Sequence, residues 1–449
     1  MTTRVIIVRH GQSSYNAQQK IQGRCDESVL TEQGQTEAKK VGMALQGVTF
    51  DAFYHSPLQR ATQTASIIQQ YLANSLTPEA KEELREVDLP LWEKLSKQEV
   101  VEKFPADYRC WKERPHEFKM LVSEPAGEKE HFPVLSLYEQ AQLFWQEAIA
   151  KHQGQTILIV AHNGINRCLI MSAIGIPPER YHTIQQSNCC INVLNFSGGL
   201  EDPVQLESLN QVSHTGSVLP PPRPPKPPAV RLLLVRHGET EWNRMSRFQG
   251  MMDIPLNETG KEQARKAAQY LKDVHIDFAV TSSLLRPKET AEIILEYHQS
   301  VPLALEDQFK EIGHGLWEGK LESEIEAEFG ELLQQWKDAP ETVQMPEGEN
   351  LQQVWDRAIA AWNKIVQTHS NPDEPKVVLV SAHDAINKVI ICYLLGLEPK
   401  SFWNIKQGNC AVSVIDYPQG AEGLPVLQTV NLTTYLGSGI LDRTAAGAL

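Results

Sequence analysis

Several things are scarce in this chain, and each scarcity excludes something. Its seven cysteines (Cys25, Cys110, Cys168, Cys189, Cys190, Cys392 and Cys410) form an odd set without a C-x-x-C pair. Neither a disulfide framework nor a zinc ribbon is expected from them, and a reducing compartment is. No apolar run approaches the length of a membrane span, and Met1-Thr2-Thr3-Arg4 leads straight into a strand-like segment, so no signal or transit peptide is expected. Basic residues are also short: 42 Lys plus Arg against 56 Asp plus Glu give a net charge of −14. That balance argues against broad binding to nucleic acid or anionic membranes. A cytoplasmic protein is expected, and any anionic ligand must be held by a local cationic cluster.

What is present is a repeat. The 449 residues are too many for one ordinary domain and comfortable for two. The apolar run Leu232-Leu233-Leu234-Val235 ends in Arg236-His237-Gly238-Glu239-Thr240, and Val5-Ile6-Ile7-Val8 ends in Arg9-His10-Gly11-Gln12-Ser13. Charged residues at the end of a buried strand are not needed for folding and stand where α/β proteins place their chemistry. Further pairs follow in the same order. Leu30-Thr31-Glu32-Gln33-Gly34 matches Leu256-Asn257-Glu258-Thr259-Gly260, and the Arg60 segment matches the Arg286 segment. Glu86 to Glu93 matches Glu311 to Glu318, and Val160-Ala161-His162 matches Ser381-Ala382-His383. The intervals between His10, Arg60, Glu86 and His162 are 50, 26 and 76 residues, and those between His237, Arg286, Glu311 and His383 are 49, 25 and 72. Near-equal intervals over such a span indicate a duplicated fold.

Strands are expected at the two Arg-His-Gly runs, at Phe53–His55 and at Thr156–Ala161. Helices are expected from Leu30 to about Gln46, from Ser56-Pro57 onward, and from Leu137 to Lys151. The segment from Glu93 to Val134 gives only a weak pattern. Seven prolines between Gly216 and Ala229 favour an extended spacer. The expected organisation is a domain over 1–212, a spacer over 213–229, a second domain over 230–432 and a loosely held tail over 433–449.

Two histidines, two arginines and one carboxylate per repeat suit phosphoryl chemistry. Arginine presents a permanently charged planar fork matched to phosphate oxygens, so Arg236 and Arg286 are expected to clamp the group. A neutral imidazole is a competent nucleophile, which gives His237 that role, while His383 serves as a further donor to the phosphoryl oxygens. Glu311 is expected to protonate the departing alkoxide and then activate water. Any one of these residues alone would more plainly be packing or a surface ion pair; the recurrence of the whole set in order is what that explanation leaves out.

As a set, Leu232 to Thr240 with Asn243, Gln249-Gly250, Arg286, Glu311 with Gly315-Leu316-Trp317-Glu318-Gly319, and His383 resembles the histidine phosphatase superfamily of phosphoglycerate mutase-like enzymes. The resemblance covers nearly the whole chain, once per half. It implies two tandem three-layer α/β/α domains with a mostly parallel sheet, a phosphohistidine intermediate, no metal or other cofactor, and a small phosphorylated metabolite as partner. It also implies phosphate contacts at Arg236, Asn243, Gln249, Arg286 and His383. The same transfer assigns Arg9, His10, Asn16, Gln22, Arg60, Glu86 and His162 in the first half.

The halves differ. The second reads His314-Gly315-Leu316-Trp317-Glu318-Gly319 where the first reads Leu89-Pro90-Leu91-Trp92-Glu93-Lys94, without the glycines that allow close approach. Asp384 follows the second histidine in the second half, an unfavourable neighbour for phosphate unless it points away. The C-terminal site is therefore expected to be the main catalyst. The mutases of the resembling family carry an Arg-rich segment after the acid glutamate, whereas Glu318 to Gln344 has only Lys320 and Lys337. That favours hydrolysis over transfer to another carbon. The tandem pairing is similar to that of phosphatases acting on 2-carboxy-D-arabinitol 1-phosphate, so a phosphosugar or sugar-acid phosphate is the expected substrate, with phosphoserine left open.

Overall fold

The structure is a computed structural model that describes residues 2–74, 76–124, 127–222, 227–437 and 439–445. It divides into two compact units, Met1–Ser217 and Val218–Leu449. The centre of the proline-rich spacer, 223–226, lies outside the described residues, as does the end of the tail, 446–449.

The first unit runs β1 (Thr3–Arg9), α1 (Ser14–Ala17), α2 (Glu32–Ala44), β2 (Ala52–His55), α3 (Gln59–Gln69), β3 (Glu79–Ala80), α4 (Lys97–Lys103), α5 (Pro105–Glu113), the hairpin β4 (Met120–Glu124) and β5 (Gly127–His131), α6 (Pro133–Lys151), β6 (Thr156–Ala161), α7 (Asn163–Ile174), β7 (Ile191–Phe196) and β8 (Val204–Gln211). Its sheet has the order β8-β7-β1-β6-β2-β3. Pairings are parallel from β1 to β3 and antiparallel at β7, so the sheet is mostly parallel. Val5, Ile6, Ile7 and Val8 are all fully buried, as a central strand covered on both faces requires. Helices α2 and α3 pack together as one layer and α6 and α7 as the other.

The second unit repeats the plan with β9 (Val230–Arg236), α8 (Glu241–Arg244), α9 (Glu258–Leu271), β10 (Phe278–Thr281), α10 (Leu285–Leu295), β11 (Leu303–Leu305), α11 (Glu322–Asp338), α12 (Leu351–His369), β12 (Lys376–Ala382), α13 (Asp384–Leu395), β13 (Val412–Tyr417) and β14 (Val426–Leu432). Its sheet order is β11-β10-β12-β9-β13-β14. Leu233, Val235, Leu271, Ile294, Leu379, Val412 and Val414 form part of one buried cluster. Arg231 closes the outer end of β9 with a two-pronged bond to buried Asp416, at 2.7 and 2.8 Å.

Three expectations change. Ser56 and Pro57 do not open α3 themselves; its N-cap is Leu58, whose N–H donates to Ser56 Oγ at 3.3 Å, and the same hydroxyl meets His162 at 2.7 Å. Ser213–Thr215 do not behave as open spacer but form a 3-10 turn tied to α2 by the bond from Lys40 Nζ to Thr215 O, at 2.7 Å. Among its described residues the tail is not loose: Ile440 is buried, Tyr435 donates to Cys410 O, and Lys406 Nζ lies 3.5 Å from Asp442. The segment after Glu93 holds α4, α5 and the hairpin, gathered around Trp92, which stacks on Phe118 at 4.7 Å and meets Trp111 at 6.0 Å.

Candidate active site

Parallel strands pointing the same way deliver their C-terminal ends to one edge of the sheet, and here each unit gathers its polar residues. In the second unit, β9 ends at Arg236 and hands His237 to the loop, while β12 ends beside His383. The backbone N–H of His237 donates to Ala382 O at 3.0 Å, locking the two strand ends together. The rings of His237 and His383 lie 5.2 Å apart, edge to face.

The tautomer of His237 follows from its neighbours. Nδ1 lies 2.7 Å from Gly238 O and must carry the proton it donates there. Nε2 is left as a lone pair, and Arg286 Nε donates to it at 3.3 Å. Burial first, then Arg286 and Arg236, hold the His237 pKa well below its ordinary value, so the ring is neutral at physiological pH. His383 is lowered in the same way, by burial and then by Arg286. Its Nε2 lies 2.9 Å from Ser282 Oγ, which orients the ring.

Both arginines are anchored through backbone carbonyls, which fixes their forks. Arg286 donates to Met252 O at 2.9 Å and Gly250 O at 2.8 Å, and burial lowers its pKa to about 10. Arg236 donates to Gln407 O at 2.6 Å. Asn243 and Gln249 both turn their amide oxygens to Thr240, at 3.1 and 2.9 Å from its hydroxyl, so each NH2 group is the end offered to an anion.

The Glu311 carboxylate sits on the N-terminus of α13 and accepts from Asp384 N at 3.1 Å and Ala385 N at 3.2 Å. Burial, then the charge of Asp384, raises its pKa, against the lowering pull of Arg286 and the backbone N–H groups. A carboxyl so placed is protonated over a wider pH range, as a proton donor must be. Asp384 itself is buried and turned from the histidines. Its two oxygens face Arg236 at 3.5 Å and Lys388 at 2.7 Å, the latter one helical turn along α13. This pairing answers the expectation that Asp384 would oppose a bound phosphate.

The first unit builds the same site. His10 Nδ1 donates to Gly11 O at 2.7 Å, its ring lies 5.1 Å from His162, and burial lowers both pKa values well below the ordinary one. Arg9 donates to Gln186 O at 2.8 Å, and Arg60 to Cys25 O and Gly23 O at 3.0 and 2.9 Å. Asn16 and Gln22 turn to Ser13 at 3.1 and 2.9 Å. Glu86 accepts from Gly164 N at 3.0 Å and Ile165 N at 3.1 Å. The structure thus brings the fourteen expected residues together in two sets of seven. Among the described residues there is no group of three or more His, Cys, Asp or Glu placed to hold a metal ion.

Some supporting residues escaped the sequence reading. Thr290 and Thr64 accept from Gly238 N and Gly11 N, both at 3.1 Å, and return their protons to Arg286 O and Arg60 O. Asn409 and Asn188 donate to His237 O and His10 O at 3.3 and 3.1 Å. The available signal was positional: Gln186-Ser187-Asn188-Cys189 and Gln407-Gly408-Asn409-Cys410 stand at matching places in the two halves.

Comparison with known proteins places the chain in a family. The family model for the histidine phosphatase superfamily (branch 1) matches residues 5–209 and again 232–432. A 2-carboxy-D-arabinitol-1-phosphatase from Triticum aestivum is 31% identical over 97% of this chain and 86% of its own length. Phosphoserine phosphatase 1 from Hydrogenobacter thermophilus is 34% identical over 48% of this chain and 99% of its own. Among solved structures, Bacillus stearothermophilus YhfR matches 42% of this chain and 94% of its own at 30% identity, with a TM-score of 0.40.

Proposed function

The chain belongs to the histidine phosphatase superfamily, branch 1, and is a phosphoric monoester hydrolase; from that premise we propose that it works through a phosphohistidine, with the C-terminal site carrying most of the turnover. His237 Nε2 attacks phosphorus, the P–O ester bond breaks, and the Glu311 proton passes to the departing alkoxide. Arg236, Arg286, His383 and the amides of Asn243 and Gln249 hold the three phosphoryl oxygens as charge redistributes. The Glu311 carboxylate then takes a proton from water, whose oxygen displaces His237 and releases orthophosphate. The observation carrying this reading is the fixed tautomer of His237, which aims its lone pair into the ring of donors.

Hydrolysis rather than mutase transfer is supported by the state of the two lysines that follow the acid loop. Lys320 pairs with Glu328 and Lys337 with Glu322, so neither is left over for a second phosphate. The substrate we infer is a small phosphorylated sugar acid, with 2-carboxy-D-arabinitol 1-phosphate first among candidates because the wheat relative of that name matches over both halves. The test is a set of phosphorylated metabolites scored for free orthophosphate and for phosphate on another carbon. Release from the sugar-acid phosphate in preference to phosphoserine and 3-phosphoglycerate is expected. Transfer without release would overturn hydrolysis, and equal rates on all three would overturn the substrate.

A further inference from the structure

The end of the chain reaches the foundation of the C-terminal site. The loop from Gln407 to Cys410 anchors three of the phosphate-binding residues from behind. Gln407 O holds Arg236 at 2.6 Å, Asn409 Nδ2 donates to His237 O at 3.3 Å and to Asn243 Oδ1 at 3.4 Å, and Cys410 N donates to His237 O at 3.2 Å. On its other side this loop is gripped by the tail. Thr444 Oγ1 accepts from Asn409 N at 3.0 Å. The side chain of Asp442 is only 1% exposed and accepts from Thr444 N at 3.0 Å and Thr444 Oγ1 at 2.8 Å, with Lys406 Nζ and Asn431 Nδ2 each at 3.5 Å. A carboxylate is costly to bury without such partners, so this arrangement is specific. Gly408 is what lets the tail settle: a Cβ there would stand 2.5 Å from Asp442 Oδ2 and 2.6 Å from Thr444 Oγ1.

The first unit makes the same inward bonds through Gln186 and Asn188, but it has Ser187 in place of Gly408, and its chain runs on into the spacer. Asn409 is fully buried, whereas Asn188 is only partly so. We propose that Asp442 and Thr444 are positioning residues for the C-terminal site, holding the loop from Gln407 to Cys410 so that Arg236, His237 and Asn243 receive a phosphoryl group. This rests on the phosphatase reading for its chemistry, not for its test. The tail acts on this half alone.

The experiment uses the full chain with orthophosphate as probe, so that it works with or without turnover. In an Arg60→Ala background, which disables the N-terminal phosphate site, Thr444→Val is expected to weaken orthophosphate binding about tenfold, the size of one lost buried hydrogen bond. The same change should lower kcat/KM for p-nitrophenyl phosphate by the same factor, and Thr444→Ser should restore both. In an Arg286→Ala background, Thr444→Val should leave N-terminal phosphate binding unchanged. Unaltered affinity, a Thr444→Ser variant as impaired as Thr444→Val, or equal weakening at both sites would each overturn the proposal. If no variant hydrolyses any ester, the phosphatase reading fails while phosphate affinity still decides the role of the tail.

Discussion

The two sites share every reacting residue and differ in what surrounds them, which separates the requirements of the chemistry from those of its tuning. Behind the proton donor, the first unit has Asn163 and Gly164 where the second has Asp384 and Ala385. A Cβ on Gly164 would stand 2.4 Å from Glu86 Oε1 and 2.5 Å from the Tyr181 hydroxyl; the second unit has Phe402 in the place of Tyr181 and so accommodates Ala385. The buried cation on the following turn is Lys388 in one unit, paired with Asp384 and lying 4.6 Å over Trp403, and Arg167 in the other, 5.2 Å over Tyr181 and 3.4 Å from His182 Nδ1. Asn243 and Gln249 are buried, while Asn16 and Gln22 are only half-buried. The second site is the more enclosed, and burial together with the charge of Asp384 raises the pKa of its Glu311 carboxyl, as a leaving-group acid needs.

Of the two glycines missing from the first acid loop, the one matching Gly319 proves less important than the sequence suggests. Lys94 adopts a left-handed φ of +69° where Gly319 has +81°, so the backbone takes the same turn at a modest conformational cost. What the first unit lacks is a packing contact. A Cβ on Gly315 would stand 2.0 Å from Pro346 O, so this glycine seats the 346–348 loop against the acid loop. Arg357 then ties both together, donating to Glu349 at 2.8 Å and to Glu311 O at 3.0 Å.

The comparison can be broken most directly by removing one nucleophile at a time. His237→Ala is expected to abolish most phosphate release and His10→Ala to spare most of it; the reverse ranking in steady-state kinetics would invert the account of the two halves. Glu311→Gln should cost about 10²–10⁴-fold in kcat/KM on substrates with poor leaving groups and much less in kcat/KM on p-nitrophenyl phosphate, whose departure needs no proton, while kcat falls on both because the attacking water loses its base. In a His237→Ala background, Gly164→Ala should lower the remaining activity roughly tenfold through overpacking, and adding Tyr181→Phe should recover part of it by removing one of the two atoms in the way. Recovery failing would show that the Tyr181 hydroxyl is not the obstacle.

Asp384→Asn removes the negative charge that helps raise the Glu311 pKa. The donor must be protonated, so activity falls as pH rises through that pKa, and the alkaline limb of the kcat profile should move to lower pH. An unmoved limb would sever Asp384 from the proton donor. The smallest effect is expected at Lys94→Gly: stability within about 1 kcal/mol of the parent in urea unfolding and no gain in N-terminal activity. A large gain would restore glycine loss as the cause of the difference.

Much of this was legible because strand ends carry a strong contrast. Charged residues directly after Val5 to Val8 and Leu232 to Val235 stand out against buried apolar runs, and duplication showed which of them recur. Ser56, Ser282 and Thr64 were not legible, since small polar residues occur in every loop and only geometry shows which hydroxyl serves the site. The pairing of Asp384 with Lys388 was present at helical spacing, but its value depends on burial. The segment from Glu93 to Val134 was obscure because α4, α5 and the hairpin gather on Trp92 through tertiary contacts. The tail misled for a related reason: glycine-rich, small residues read as loose, and a single buried aspartate leaves no pattern.

The central claim is tested most directly by mixing the enzyme with substrate, quenching in alkali, where phosphohistidine survives, and mapping the modified residue by mass spectrometry. Phosphate on Nε2 of His237 is expected, with little on His10. Label on His10 alone, or turnover with no phosphohistidine at either position, would contradict the account.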